Sequence, residues 1–235
     1  MPPGKIAVWL LALASPALCA ETPTMPTNLL LNPAFEFHSF DNHRLGRAAR
    51  FESGYVSFWN ANAWGDVKVT HEAHAPATVR PAYSVRNLVS VQPGKRMWQF
   101  ITLPDVSLAH GEKVSLSVFG HQSAAGVAHA RIRLLKLDSQ DGEWTPSEFG
   151  MSDKRTFPRH ARGELVTARA YEASAQAEGA FEIKIEDAEI IGHFTEGEQS
   201  HTHDVNTIAL AVELENTSDK AQVWFWSPSL CSGPR

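Results

Sequence analysis

Apolar residues in this 235-residue chain recur at every second position, the period of a pleated strand with one buried face, rather than at the three- to four-residue spacing of a helix. Val114, Leu116 and Val118 alternate with Ser115 and Ser117, and Phe181, Ile183 and Ile185 alternate with Glu182 and Lys184. Ile208, Leu210, Val212 and Leu214 repeat the pattern, and in the last strand Val223 and Phe225 oppose Trp224 and Trp226. The same reading predicts strands over 67–70, 84–91, 96–103, 130–137 and 164–171. Around Ile132 the neighbours Leu134 and Leu135 break phase, so a bulge or burial on both faces is expected there. Over 28–37, Leu29 and Leu31 read as one face of an opening strand; Pro33, which has no N–H to give, ends regular pairing before Phe35 and Phe37 resume an apolar face.

Turn chemistry separates these runs: Gln92-Pro93-Gly94, Leu103-Pro104-Asp105, His110-Gly111 and Asp141-Gly142. No amphipathic helix longer than about three turns is evident, and there is no βαβ rhythm. Nine or ten strands at this spacing give an all-β chain, an antiparallel two-sheet β-sandwich of the jelly-roll kind in a single domain. Two long irregular stretches, 37–63 and 138–163, are candidates for functional or mobile loops.

The first twenty residues carry one charge at Lys5, an apolar run from Ile6 to Ala14 and a small-residue exit at Ala20, the layout of a secretory signal. Cys19 raises lipidation as an alternative, against which Leu18 stands as a bulky residue where a small one is wanted. The expected division is therefore a leader over 1–20, a Pro/Thr-rich linker over 21–27 and one domain over 28–235, delivered to the periplasm or the exterior. Loss of Lys5 with the leader moves the formal net charge from −5 to −6. That excess of acid argues against nucleic acid or an anionic membrane as partner. It also leaves Cys231 as the single thiol, so burial rather than an intrachain disulfide must hold the fold.

An Asn-Leu-Leu-x-Asn-Pro-x-Phe-Glu opening (Asn28 to Glu36), a Trp-bearing segment (Trp59 to Val69), Ala82-Tyr83-Ser84-Val85, a Trp98-Gln99 strand, Gly111 to Val118 and a closing aromatic strand through Leu230 follow one another in order. Together they resemble the jelly-roll carbohydrate-binding modules of the galactose-binding-like superfamily. The resemblance implies glycan binding without catalysis, as an accessory to a larger secreted glycoside hydrolase or esterase. It also implies a structural calcium at the opening Glu, here Glu36, together with an acidic pair in the last strand. Ser227-Pro228 stands where that pair would be, which removes hard oxygen ligands that Ca²⁺ needs.

Sugar recognition requires flat apolar rings for C–H surfaces and polar groups around them. Trp59, Asn62 and Trp64 supply both in close order, and either Trp could instead plug the sandwich edge. Trp98 and Gln99 must face opposite ways; Gln99 is expected on the concave face with Arg96 nearby. These residues and His121 form the candidate binding set. Trp224 and Trp226 read as core, and Trp144, in a polar turn-rich segment, as a loop residue. Among the eleven histidines, His201 and His203 share a face if extended, and with His193 could ligate Zn²⁺ or Cu²⁺, against the plainer reading of a solvated loop. A second class of function, a polysaccharide lyase or metal-dependent hydrolase on the same fold, would draw on Tyr55, Tyr83, Tyr171, Arg131 and Arg133, or on those histidines. No Gly-x-Ser-x-Gly block is present.

Overall fold

A computed structural model describes residues 27–36, 52–53, 56, 58–63, 65–79, 85–106, 108, 110–138, 164–191 and 209–233. The leader, most of the linker, Trp64, Trp144, Tyr55, Tyr83, His193, His201 and His203 lie outside the described residues.

Eleven strands run through the described residues: β1 (Glu52–Ser53), β2 (Asn60–Ala61), β3 (Val67–His71), β4 (Asn87–Val91), β5 (Lys95–Thr102), β6 (Lys113–Gln122), β7 (Ala128–Asp138), β8 (Glu164–Ser174), β9 (Gly179–Glu189), β10 (Ala209–Asn216) and β11 (Val223–Ser232). They form two antiparallel sheets, β1-β3-β4-β11-β6-β9 and β2-β5-β10-β7-β8. This is the expected β-sandwich. Val67, Val89, Leu116, Val118, Ile183 and Phe225 of one sheet meet Met97, Ile101, Ile132, Leu210 and Val212 of the other in one apolar core. Burial of that shared layer is what the two-residue period encodes. Among the described residues no helix is long and apolar enough to cross a membrane.

The break at Leu134 and Leu135 is real on both counts. The β7–β8 register shifts there, Leu134 opposing Arg169 and Leu135 opposing Thr167, so the extra residue is Ala168 of β8. Both leucines are fully buried. The stretch read as irregular over 37–63 contains the short strands β1 and β2, and Leu103–Val106 forms one helical turn where an open turn was expected.

The opening segment differs more. It makes a single bridge, Asn28 to Cys231; Phe35 is buried as expected, but before Pro33 the phase differs, Leu30 being buried while Leu31 is exposed. The cause is the Asn28 side chain. Its Oδ1 accepts from the amides of Leu30 and Leu230, and its Nδ2 donates to the Pro228 carbonyl. That local turn clasps the segment to β11 and competes with a ladder.

Polar side chains hold the loop ends in the same way. Gln122, fully buried, donates to the carbonyls of Ala175 and Ala177 and accepts from the amides of Val127 and Ala128. Asn216, also fully buried, donates to the carbonyls of Val91 and Ala221 and accepts from the Ser218 amide. The Asn216-Thr217-Ser218 sequon is therefore a structural knot. Tyr171 ties β8 to β9 through its hydroxyl, which accepts from the Glu189 amide and donates to the Glu189 carbonyl.

On the outer side of the six-stranded sheet, Trp224 and Trp226 are buried with Leu88 beneath Ala75, Val79 and Val85. They are core, as expected, but in a second cluster outside the sandwich. Val223 and Phe225 point the other way into the main core.

Candidate functional site

The outer face of the five-stranded sheet collects charge. Alternation on β10 sends Leu210, Val212 and Leu214 inward, so Glu213 and Glu215 face out. Glu213 stands opposite Trp98 on one side and Arg131 on the other, and Glu215 opposite Arg96 and His129. Arg131 in turn opposes Glu172 of β8. Four strands thereby bring Arg96, Arg131, Arg133, Glu172, Glu213 and Glu215 onto one face.

Glu213 is the centre of this array. Its side chain is 1% exposed and lies 3.4 Å from Arg96 Nη1, 3.2 Å from Arg133 Nη1 and 3.8 Å from Arg131 Nη1. A carboxylate removed from water needs such pairing to remain charged. Arg131 also donates through Nε to Glu172 at 2.9 Å and through Nη1 to Glu215. Burial works against the Arg131 charge, but the bond to Glu172 and the fields of Glu215 and Glu213 outweigh it and hold its pKa above the usual guanidinium range. The Arg96 guanidinium lies 5.5 Å from the centre of the Trp98 ring, within reach of a cation–π contact. The result is a sheet face on which donors and acceptors are held in fixed positions.

The structure scatters the residues expected to line one groove. Arg96 belongs to the charged face. Gln99 does not: it points between the sheets, where its amide engages the backbone of Leu31. Gln99 is an odd number of positions from Arg96, with Met97 and Trp98 between them, so a regular strand puts the two on opposite faces, and their expected proximity is corrected. Trp59 is core rather than groove. It is 4% exposed and packs edge-on to Phe35 at 5.7 Å between ring centres, an apolar partner that it meets immediately before β2 begins. Asn62 is exposed just beyond β2. His121 lies on β6, opposite Trp224 and Ala180 in the other sheet, and so is remote from Arg96 in the topology. Its pKa is lowered by burial, an effect partly countered by Glu178.

Of the expected metal ligands, only Glu36 falls among the described residues. It is exposed and pairs with Arg86 at 3.5 Å. Among the described residues no group of three or more His, Cys, Asp or Glu side chains could hold a metal ion. Arg131 and Arg133 share a sheet face, as the alternation predicts, and both are bonded to glutamates. Tyr171 spends its hydroxyl on Glu189 and accepts from Arg169.

Sequence reasoning missed Glu213, Glu215 and Glu172. The signal was present, since 213 and 215 occupy the polar phase of a strand whose apolar phase is unambiguous. It also missed Phe58, which is 56% exposed just before β2. The described tryptophans, Trp59, Trp98, Trp224 and Trp226, are all buried, so none of them offers a ring to solvent.

No protein-family model matches the chain, and no curated protein matches it. Similarity to solved structures is confined to shape. A complex of TmCBM61 with β-1,4-galactotriose is similar at 12% identity and a TM-score of 0.44, over 88% of this chain and 99% of that one. The CBM22-1 xylan-binding domain of Paenibacillus barcinonensis Xyn10C is similar at 15% identity and a TM-score of 0.37, over 77% and 90%. A Stig cyclase, FisC from Fischerella sp. TAU, is similar at 11% identity and a TM-score of 0.46, over 89% and 99%. Carbohydrate-binding modules and a cyclase both stand among these matches of shape. The functional reading rests on the chain's own residues.

Proposed function

We propose that this chain is a secreted, non-catalytic carbohydrate-binding module, acting beside a larger secreted glycoside hydrolase or esterase. The observation that carries the reading is the outer face of the five-stranded sheet, where Glu213 anchors Arg96, Arg131 and Arg133 around itself. Glu213 itself is sealed from solvent; Arg131, 26% exposed, and Glu172, 63% exposed, are fixed against one another before a ligand arrives and offer donors and acceptors that match vicinal hydroxyls. Fixing them in advance reduces the ordering cost of binding. The order of motifs from Asn28 to Leu230 supports the same reading, and the leader over 1–20 supports export.

A glycan array probed with the chain, followed by calorimetric titration of any responsive oligosaccharide, tests it. Saturable binding that is weakened by Arg131→Ala supports the proposal. Silence across neutral and acidic glycans, or turnover of any of them, overturns it.

A further inference from the structure

Two phenylalanines share a backbone conformation that L-residues rarely adopt. Phe35 has φ 53° and Phe58 has φ 69°, both in the left-handed region that glycine occupies without strain. For Phe35 the reason is plain. Its ring is fully buried and lies edge-on to Trp59, so packing offsets the strain.

Phe58 has no such return. The residue is 56% exposed, and it occupies the penultimate position of a turn closed by the Trp59 amide donating to the Val56 carbonyl at 3.1 Å. Glycine or asparagine would fit that position more easily. An apolar ring held outward at a strained position is the sort of backbone outlier that points to function. The turn leads directly into β2, whose Asn60 opposes Trp98 at the margin of the charged face, and exposed Asn62 follows. With the described tryptophans buried, Phe58 is the large exposed aromatic ring at that margin.

We infer that Phe58 is a ligand-contacting residue, its ring stacking on the C–H face of a neutral pyranose at the β2 edge while amides at Asn60 and Asn62 pair with hydroxyls. The inference rests on the binding reading above and adds to it a specific ring and a class of sugar. An aromatic face recognises a run of C–H bonds and gives nothing to a carboxylate. The occupant is therefore an uncharged hexose or pentose chain rather than a uronate.

The test uses the full chain in native gels containing β-1,4-galactan, xylan, mixed-linkage β-glucan or polygalacturonate, with urea unfolding measured in parallel. Wild type is expected to be retarded by a neutral polysaccharide. Phe58→Gly is expected to lose at least tenfold in affinity while its urea midpoint is unchanged or raised, and Phe58→Tyr is expected to keep retardation. Undiminished binding by Phe58→Gly, or a lowered midpoint, overturns the assignment while leaving the module reading intact. Retardation by polygalacturonate alone overturns the sugar class. Absence of retardation for wild type in every gel removes the module reading and this inference together.

Discussion

The side-chain amide of Gln99 and the backbone of Leu31 exchange two hydrogen bonds, Leu31 N to Gln99 Oε1 at 2.7 Å and Gln99 Nε2 to Leu31 O at 2.9 Å. A side chain here substitutes for a neighbouring strand and fastens the opening segment over the core edge. Gln99→Ala leaves both backbone groups of Leu31 without that partner, and urea unfolding should show a loss of about 2 kcal/mol. Glycan retention should not change, because the amide never reaches the charged face.

Glu213→Gln keeps the shape of the side chain and removes its charge from among three guanidiniums. Breaking a buried ion pair from one side leaves the opposite charge uncompensated, so stability should fall by roughly 3 kcal/mol in a denaturant titration. Restoring the balance by Arg133→Met in the Glu213→Gln background should recover part of the loss. A coupling energy near zero in that double-mutant cycle would contradict the arrangement.

At Gly120 a methyl group has nowhere to go. A Cβ built there would lie 2.1 Å from Phe181 Cζ and 2.3 Å from the Trp224 carbonyl oxygen. Gly120→Ala should cost about 3 kcal/mol or more, at the upper end of overpacking effects. Phe181→Ala in the same chain should rescue only partly, since the ring can be removed but the carbonyl belongs to the β11 backbone. Thermal unfolding of Gly120→Ala and of the double variant separates these outcomes.

Burial lowers the His121 pKa from its ordinary 6.5, and Glu178 opposes the shift. A histidine that resists protonation in the folded state binds fewer protons there than in the unfolded chain. Its contribution to stability is therefore present above about pH 6.5 and is lost as pH falls through that value towards the folded pKa. Urea midpoints measured from pH 7.5 downwards should fall less steeply for His121→Gln than for wild type. Glu178→Gln should steepen the fall, because it removes the group that favours the charged ring.

Strand placement was legible wherever one face is wet. β6 and β9 follow the alternation of Val114, Leu116 and Val118 and of Phe181, Ile183 and Ile185, and even the bulge at Leu134 and Leu135 left a mark as two adjacent apolar residues. The opening segment departs from the alternation because Asn28 turns its own chain, so Leu30 rather than Leu31 goes inward. Side-chain bonds of that kind have no period to detect. β1 and β2 are two residues each, too short for alternation to appear.

The candidate site was half legible. Parity alone places Arg131 and Arg133 together and separates Arg96 from Gln99. Glu213 could have been placed on the polar phase of β10, but that phase does not say that three arginines from two other strands converge on one carboxylate; sheet order supplies that, with β10 lying between β5 and β7. Tryptophan rings suit sugar stacking, yet their large area makes them equally suited to sealing a core. Phe58 gave no warning, because a positive φ is a property of the folded backbone.

The knot at Asn216 bears on where the chain can be made. An oligosaccharyltransferase meets Asn-Thr-Ser on the nascent polypeptide, before β4 and β10 have closed over the amide nitrogen that donates to Val91 and Ala221. A sugar tree attached there would occupy the nitrogen and could not be housed in a site with no solvent access. Manufacture in a eukaryotic secretory line would then divert part of the product into quality control, whereas a bacterial export route would not.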